Sequence, residues 1–311
     1  MKKFLSLFLS VTIMFLSVIT AFAGNGERSV YCSNKIPTGS VRMIAHRGYC
    51  LLAPENTLAA FELAGQYNFW GAECDICPTS DGVWVIMHDD TVDRMTDGEG
   101  KVGDFSYEEI RKLKIDSGMN VEDYPDEKIP TLTEYLDVCK KYGLHPVIEI
   151  KSGAKIEDMD SLSQLLLSRE EKDMFTVISF ERSLLAKIRT LMPNTPMYLL
   201  SGGGTEQQLY DEISFVKENN IQGIDFCFDL VEKRVEIIKE AGIKPIVWTV
   251  DDIKTVEQYY EWGVRDYTTN VLNQSKPEGN LFQRIRWFFR DLRYNISCKF
   301  DEIFKKINSV F

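Results

Sequence analysis

The chain has 311 residues, 44% of them hydrophobic and 27% charged, with a formal net charge of −11. That length suits one large α/β domain or two small ones, and the ordinary apolar and charged content predicts a sizeable globular core. The acidic excess argues against a general nucleic-acid binder, whose affinity rests on cations at phosphates.

In chain order, Met1–Ala23 opens with Lys2 and Lys3, continues as an apolar run from Phe4 to Thr20, and ends on Ala21-Phe22-Ala23. This is the pattern of an export signal with a small-residue cleavage site, and the run is also long enough for an uncleaved membrane anchor. The chain is therefore expected to be secreted or held at the cell surface. Seven cysteines, at 32, 50, 74, 77, 139, 227 and 298, are an odd count and a poor disulfide framework. In the pair Cys74-x-x-Cys77, strand alternation would turn the two thiols to opposite faces.

After a linker, Val41–Ala45 reads as a strand ending in His46-Arg47-Gly48, and Pro54-Glu55-Asn56-Thr57 leads into a helix. Leu58, Phe61, Leu63 and Ala64 supply its apolar side, and Asn56 or Thr57 its cap. Ala72–Asp89 reads as a hairpin. Val83, Val85 and Met87 alternate with Trp84, Ile86 and His88, and Asp81-Gly82 is a favoured two-residue turn. Centring the turn there pairs Asp75 with His88, which sets Glu73, Asp75 and His88 on one face and Cys74 on the other. A strand otherwise rich in Ile and Val has no packing reason to gather two carboxylates and an imidazole.

Asp90–Glu127 is charged, lacks long periodicity and reads as a small insertion, since loops of this length are uncommon unless functional. A helix through Glu134, Leu136 and Cys139 follows. Strands at 146–150, 176–180, 197–200, 223–227, 245–250 and 266–269 then alternate with helices at 159–167, 182–191, 206–219, 231–241 and 253–261. The link from Thr79 to Gly82 is too short for a parallel crossover, so Val83–His88 runs antiparallel. Eight parallel strands remain, the signature of a (β/α)₈ barrel over residues 41–276, with an open doubly wound sheet as the alternative.

A barrel places its active site at the carboxyl ends of its strands. His46, Glu73 with Asp75, Glu149 with Lys151, and Trp248 all fall there. His145, before Pro146, falls at the opposite end and is expected to be structural. Gly202-Gly203-Gly204 is expected to be a flexible loop. From Pro277 to Phe311, seven basic residues face four acidic ones, with aromatic and aliphatic residues at helical spacing. This tail is expected either to dock on the barrel or to contact a membrane or cell-wall surface.

His46-Arg47-Gly48, Pro54-Glu55-Asn56-Thr57, Glu73-x-Asp75, Thr79-Ser80-Asp81-Gly82, His88-Asp89-x-Thr91, Arg94-x-Thr96-x-Gly98, Ile129-Pro130-Thr131-Leu132 and Glu149-x-Lys151 resemble, in order and spacing, the glycerophosphodiester phosphodiesterases. Ile178-Ser179-Phe180 and Trp248-Thr249-Val250 extend the likeness more loosely. Thr269-Asn270-Val271-Leu272 stands where the family usually closes with Thr-Asp or Thr-Asn followed shortly by Pro, a departure that falls in the last loop. The resemblance implies a barrel with a cap at 90–127 that hydrolyses glycerophosphodiesters to glycerol 3-phosphate and an alcohol, using one divalent metal. It implies Glu73, Asp75 and Glu149 as metal ligands, His46 and His88 as acid and base, and Arg47 and Lys151 as cations near the phosphate. Trp248 is a candidate wall of the glycerol pocket. It also favours attack by the glycerol 2-hydroxyl to give a cyclic phosphate, which water then opens.

Independently, a phosphodiester is an anion with a poor leaving group, so cleavage needs neutralised oxygens and two proton transfers. Three carboxylates suit Mg²⁺ or Ca²⁺ better than zinc. Which histidine is acid and which is base is open at the level of sequence. The alternatives are a related barrel phospholipase acting on lysophospholipid or phospholipid, and a non-catalytic binding barrel. The latter should lack one of the paired histidines or carboxylates, and none is lost.

Overall fold

In the computed structural model, residues 33, 35–37, 39–169, 174–228 and 231–273 are described. The segment read as an export signal, the basic aromatic tail, Cys32 and Cys298 lie outside them. Short apolar runs become strands and the amphipathic stretches between them become helices. The elements in chain order are β1 (Arg42–Ala45), α1 (Leu58–Gln66), β2 (Gly71–Pro78), β3 (Trp84–Ile86), α2 (Tyr107–Ile110), α3 (Leu132–Tyr142), β4 (His145–Ile150), α4 (Met159–Leu167) and β5 (Thr176–Ser179). They continue with α5 (Arg182–Leu191), β6 (Met197–Ser201), α6 (Glu206–Glu218), β7 (Gly223–Cys227), α7 (Glu232–Glu240), β8 (Lys244–Trp248), α8 (Ile253–Trp262) and β9 (Asp266–Thr269).

β1 pairs in parallel with β2 on one side and β9 on the other, and the remaining parallel pairs run β2–β4–β5–β6–β7–β8–β9. The sheet therefore closes on itself, which rules out the open doubly wound alternative. The strands divide their side chains between an outer layer under the helices and the barrel interior. Those pointing outward, such as Cys74, Ile148 and Val177, pack under helical residues such as Phe61, Tyr135 and Leu162. Those pointing inward, Ile44, Val147, Ile178, Tyr198, Leu200 and Ile246, plug the barrel. Each large apolar side chain so buried contributes about 1.5–3 kcal/mol, which is why a barrel of this kind is a packed core and not a pore.

Helix starts follow local chemistry. Thr57, not Asn56, caps α1, its hydroxyl accepting from the Ala60 N–H, and Thr131 with Glu134 forms a reciprocal capping box on α3. That leaves Asn56 free for another use.

The hairpin differs from the sequence expectation by one residue. Its pairs are Ile76 with Ile86, Cys77 with Val85 and Pro78 with Trp84, and the Met87 N–H donates to the Asp75 carbonyl, so Asp75 lies opposite Met87 and not His88. The cause is Thr79. Its N–H donates to the Val83 carbonyl while its hydroxyl accepts from the Val83 N–H, closing a three-residue loop with Gly82 at φ +81°. A continued strand would turn His88 outward. Instead β3 stops at Ile86 and the chain bends, which brings His88 back to the barrel mouth. Cys74 does point away from that mouth, into the layer shared with Tyr135 and Cys139.

Residues 90–127 build a second small core, in which Val92, Met95, Ile110 and Ile115 pack on Cys77, Val85 and Met87 of the hairpin. The Asn120 side chain donates to the Leu52 carbonyl at 3.1 Å, tying this layer to the β1–α1 loop. At the opposite end of the barrel, His145 stacks on Trp70 with centroids 4.3 Å apart and bonds the Thr176 hydroxyl at 2.8 Å.

Candidate active site

The chain leaves β1 through a tight turn. Arg47 takes φ +55° and Gly48 φ +75°, and a Cβ on Gly48 would lie 2.7 Å from the Ala60 backbone, so only glycine fits there. The turn aims the Arg47 N–H at Glu73 Oε2, 2.9 Å away, and its guanidinium at Glu55, 2.8 Å, and Asp75, 3.4 Å. Asn56, released from capping, donates to Asp75 Oδ2 at 2.8 Å.

Glu73 and Asp75, two apart on β2, share the inward face, and Glu149 stands beside Asp75 across the β2–β4 pair. A ligand oxygen from each of the three buried carboxylates lies within 4.8 Å of the others. Burial, then Asp75 and Glu149, hold the Glu73 carboxyl well above its ordinary value, and burial with Asp75 pushes Glu149 up to about 7. For Asp75, burial works the other way but Lys151, Arg47 and His88 outweigh it and keep it low. Lys151 Nζ lies 2.8 Å from Glu149 and 3.3 Å from Asp75. Three acids against two near cations leave the cluster short of positive charge. Glu73 Oε1 is buried without a hydrogen-bond partner. Hard oxygen donors, crowded and partly unsatisfied, could hold a divalent cation.

Each histidine is pinned at Nδ1. His46 Nδ1 lies 2.8 Å from Asn270 Oδ1, and the Asn270 amide is oriented by donating to Asp251 Oδ2 at 2.7 Å. The acceptor oxygen therefore faces the ring, Nδ1 carries the proton and Nε2 keeps its lone pair. Burial, then Arg47, lowers the pKa of His46 and favours the neutral ring. His88 Nδ1 instead meets a carboxylate, Asp89 Oδ1, at 2.7 Å. Arg94 holds Asp89 ionised, with a pKa of about 2, and reaches Glu55 at 2.7 Å, which closes the chain of ion pairs back to Arg47.

A cavity of about 70 Å³ joins these groups. His46, Arg47, Glu73, His88, Glu149 and Lys151 form its ionic side, and Trp248 stands on the other, edge-on to Phe180 with centroids 5.7 Å apart. All eight residues singled out from the sequence thus converge at one mouth. Asn270, Asp251, Asp225 and Phe180 were not singled out for the site. Asn270 had a visible signal, in the last loop where the chain departs from its family, but its bond to His46 spans 224 residues.

A family model described as the glycerophosphoryl diester phosphodiesterase family matches residues 46–273. A glycerophosphodiester phosphodiesterase of Caldanaerobacter subterraneus is 33% identical over 231 residues, 73% of this chain and 93% of that protein. Glycerophosphodiester phosphodiesterase 1 of Bos taurus is 31% identical over 274 residues, 78% of this chain and 82% of that one. Among solved structures, a phosphodiesterase of Oleispira antarctica in complex with the product sn-glycerol-3-phosphate matches with a TM-score of 0.67 at 28% identity, covering 74% of this chain and 92% of that one. The match runs from the first histidine of the mouth to the residues just past the closing strand, and the chain belongs to the glycerophosphoryl diester phosphodiesterase family.

Proposed function

We propose that this site hydrolyses glycerophosphodiesters to glycerol 3-phosphate and an alcohol, with one divalent cation, Mg²⁺ or Ca²⁺, held by Glu73, Asp75 and Glu149. The observation that carries the reading is the pairing of a partly unsatisfied carboxylate trio with two histidines that have different Nδ1 partners. Bound there, the cation supplies neutralisation of the non-bridging phosphate oxygens. Arg47 and Lys151 share that task from the protein side.

His46, neutral and with Nε2 free, takes the proton of the glycerol 2-hydroxyl. That oxygen attacks phosphorus, the bond to the departing alcohol breaks, and His88 delivers a proton to the leaving oxygen. Asp89 gives the His88 imidazolium a charge partner, as Asn270 cannot do for His46. A five-membered cyclic phosphate results. In the second half His88, now neutral, takes a proton from water, whose oxygen opens the ring, and His46 returns its proton to the glycerol 2-oxygen.

The test is a panel of glycerophosphocholine, glycerophosphoethanolamine and glycerophosphoglycerol, assayed with chelator and then with Mg²⁺ or Ca²⁺ restored. A propane-1,3-diol phosphocholine ester, lacking the 2-hydroxyl, serves as the control. Turnover that survives chelation overturns the metal reading, and turnover of the control overturns the cyclic route.

A further inference from the structure

Three buried carboxylate oxygens inside the barrel meet no well-aligned hydrogen-bond donor among the described residues: Glu73 Oε1, Asp266 Oδ2 and Asp225 Oδ1. Asp266 has Lys244 Nζ at 2.6 Å, and Glu73 belongs to the acidic trio. Asp225 has neither explanation. It is 2% exposed, stands in the middle of β7, and projects into the layer otherwise plugged by Ile44, Val147, Ile178, Leu200 and Ile246. A carboxyl placed there without a partner is unfavourable for folding, and the same volume of Leu or Asn would be easier to accommodate.

Its position gives the reason. Asp225 stands between two cavities: it lines that of the active site, below Trp248, whose Nε1 donates to the Asp225 backbone carbonyl at 3.1 Å, and it also lines a second cavity at the opposite mouth, shared with Asp266. The cavity is two-sided. The ionic groups come from the β1–β4 side, while β5 to β8 contribute Ile178, Phe180, Leu200 and Trp248. Among the described residues Asp225 is the one titratable group on that second wall, and it lies outside the cluster whose atoms are within 4.8 Å of one another. Burial, then Glu149 and Asp266, hold its carboxyl well above the ordinary range, so it is poised to donate a hydrogen bond as well as to accept one.

Given the function proposed above, on which this inference rests, the phosphate occupies the ionic side and the glycerol 2-hydroxyl faces His46. The other free hydroxyl, the terminal one, loses its water on entering a cavity walled by Ile178, Leu200 and Trp248. We propose that Asp225 is a specificity-determining residue whose carboxyl takes this terminal hydroxyl, so that the site selects glycerol over diols lacking it. A site built to hydrogen-bond a hydroxyl rejects the analogue without it strongly, because its own polar group is then left unpaired.

The experiment compares glycerophosphocholine with 2-hydroxypropyl phosphocholine, which keeps the attacking 2-hydroxyl and replaces the terminal CH₂OH by CH₃. The cation-loaded wild-type protein should prefer the glycerol ester by about 10²-fold or more in kcat/KM. In Asp225→Ala that ratio should collapse toward one, and in the isosteric Asp225→Asn it should fall only in part. Affinity for Mg²⁺ or Ca²⁺, measured by calorimetry, should stay within about threefold of wild type in both variants, as expected for a group outside the ligand set. Equal turnover of the two esters by wild type overturns the inference while leaving the phosphodiesterase reading intact. So does a variant that slows both esters alike. Failure of wild type to cleave either ester refutes the parent reading instead. If Asp225→Ala does not fold, Asp225→Asn and the relative binding of sn-glycerol 3-phosphate and 2-hydroxypropyl phosphate to wild type decide the matter, and equal binding overturns it.

Discussion

At the amino-terminal mouth of the barrel, Asp266 sits between Arg42 and Lys244, Arg42 lies 4.5 Å over the Trp70 ring, and His145 stacks on the same indole. At the carboxyl-terminal mouth, Glu73, Asp75 and Glu149 crowd together against Arg47 and Lys151, and one of their oxygens has no partner. The first mouth opens on the larger cavity, about 250 Å³ against about 70 Å³. Volume is therefore a poor guide to the site. What separates the two ends is the state of their charges. At one end a single acid is flanked by two cations and a ring stacks on an aromatic neighbour, which serves stability. At the other, acids outnumber near cations, an excess that could be met by a bound divalent cation.

The sharpest way to break this comparison is to remove one histidine from each end. His46→Ala or His88→Ala should lower kcat by about 10²- to 10⁴-fold at unchanged folding, whereas His145→Gln should leave kcat within about twofold. Near-normal turnover without His46 or His88, measured beside a thermal melt, refutes the assignment.

The next effect isolates the pin on His46. Asn270→Ala or Asp251→Ala should cost about 10- to 100-fold in kcat, since an unheld imidazole samples the wrong tautomer and orientation. Asn270→Asp places a carboxylate where the amide oxygen stood and raises the pKa of His46. A base must be unprotonated, so the acidic limb of the kcat/KM profile should move to higher pH. A profile that does not move would show that His46 is not the base.

A smaller effect belongs to the stable end. Burial, then Arg42, holds His145 down to about 4, below the ordinary 6.5. The unfolded chain therefore takes up the proton first on acidification. The contribution is complete above pH 6.5 and is lost as pH falls from about 6.5 to about 4, by at most about 3 kcal/mol. Denaturant unfolding across that window should show this loss in wild type and less of it in His145→Gln. Equal pH dependence in the two proteins would mean that His145 is not held neutral. The smallest effect is expected for Cys74→Ser, which should keep kcat within about twofold because Cys74 faces the helical layer. Loss of cation binding without unfolding would contradict that orientation.

Much of this was legible in the sequence, and the limits have physical causes. Strand ends carry function in a barrel, so His46, Glu149 and Lys151 could be placed from the apolar runs preceding them. Glu73 and Asp75 share a face because alternation along a strand is insensitive to anything distant. The hairpin register was not legible, since it depends on whether the Thr79 hydroxyl closes a loop of three residues or leaves one of two. His88 reaches the mouth all the same, by a bend and not by strand geometry. The Asp251–Asn270–His46 chain joins segments 19 and 224 residues apart, and such contacts exist only once the barrel has closed. Asp225 was hidden differently. Gly-Ile-Asp-Phe-Cys reads as an ordinary strand, and its one carboxylate among buried neighbours was the available signal.

The bond between His46 and Asn270 has a consequence for how the molecule comes to life. The three carboxylates and both histidines are all in place by residue 149, less than halfway along the chain, yet the group that fixes the proton on His46 arrives with the turn after β9, the last strand of the barrel. Under the mechanism proposed above, turnover would report ring closure. During refolding, helical signals should recover as segments dock one by one, while catalysis should wait for the final strand to meet the first. A lag between the two would time the last step of assembly directly.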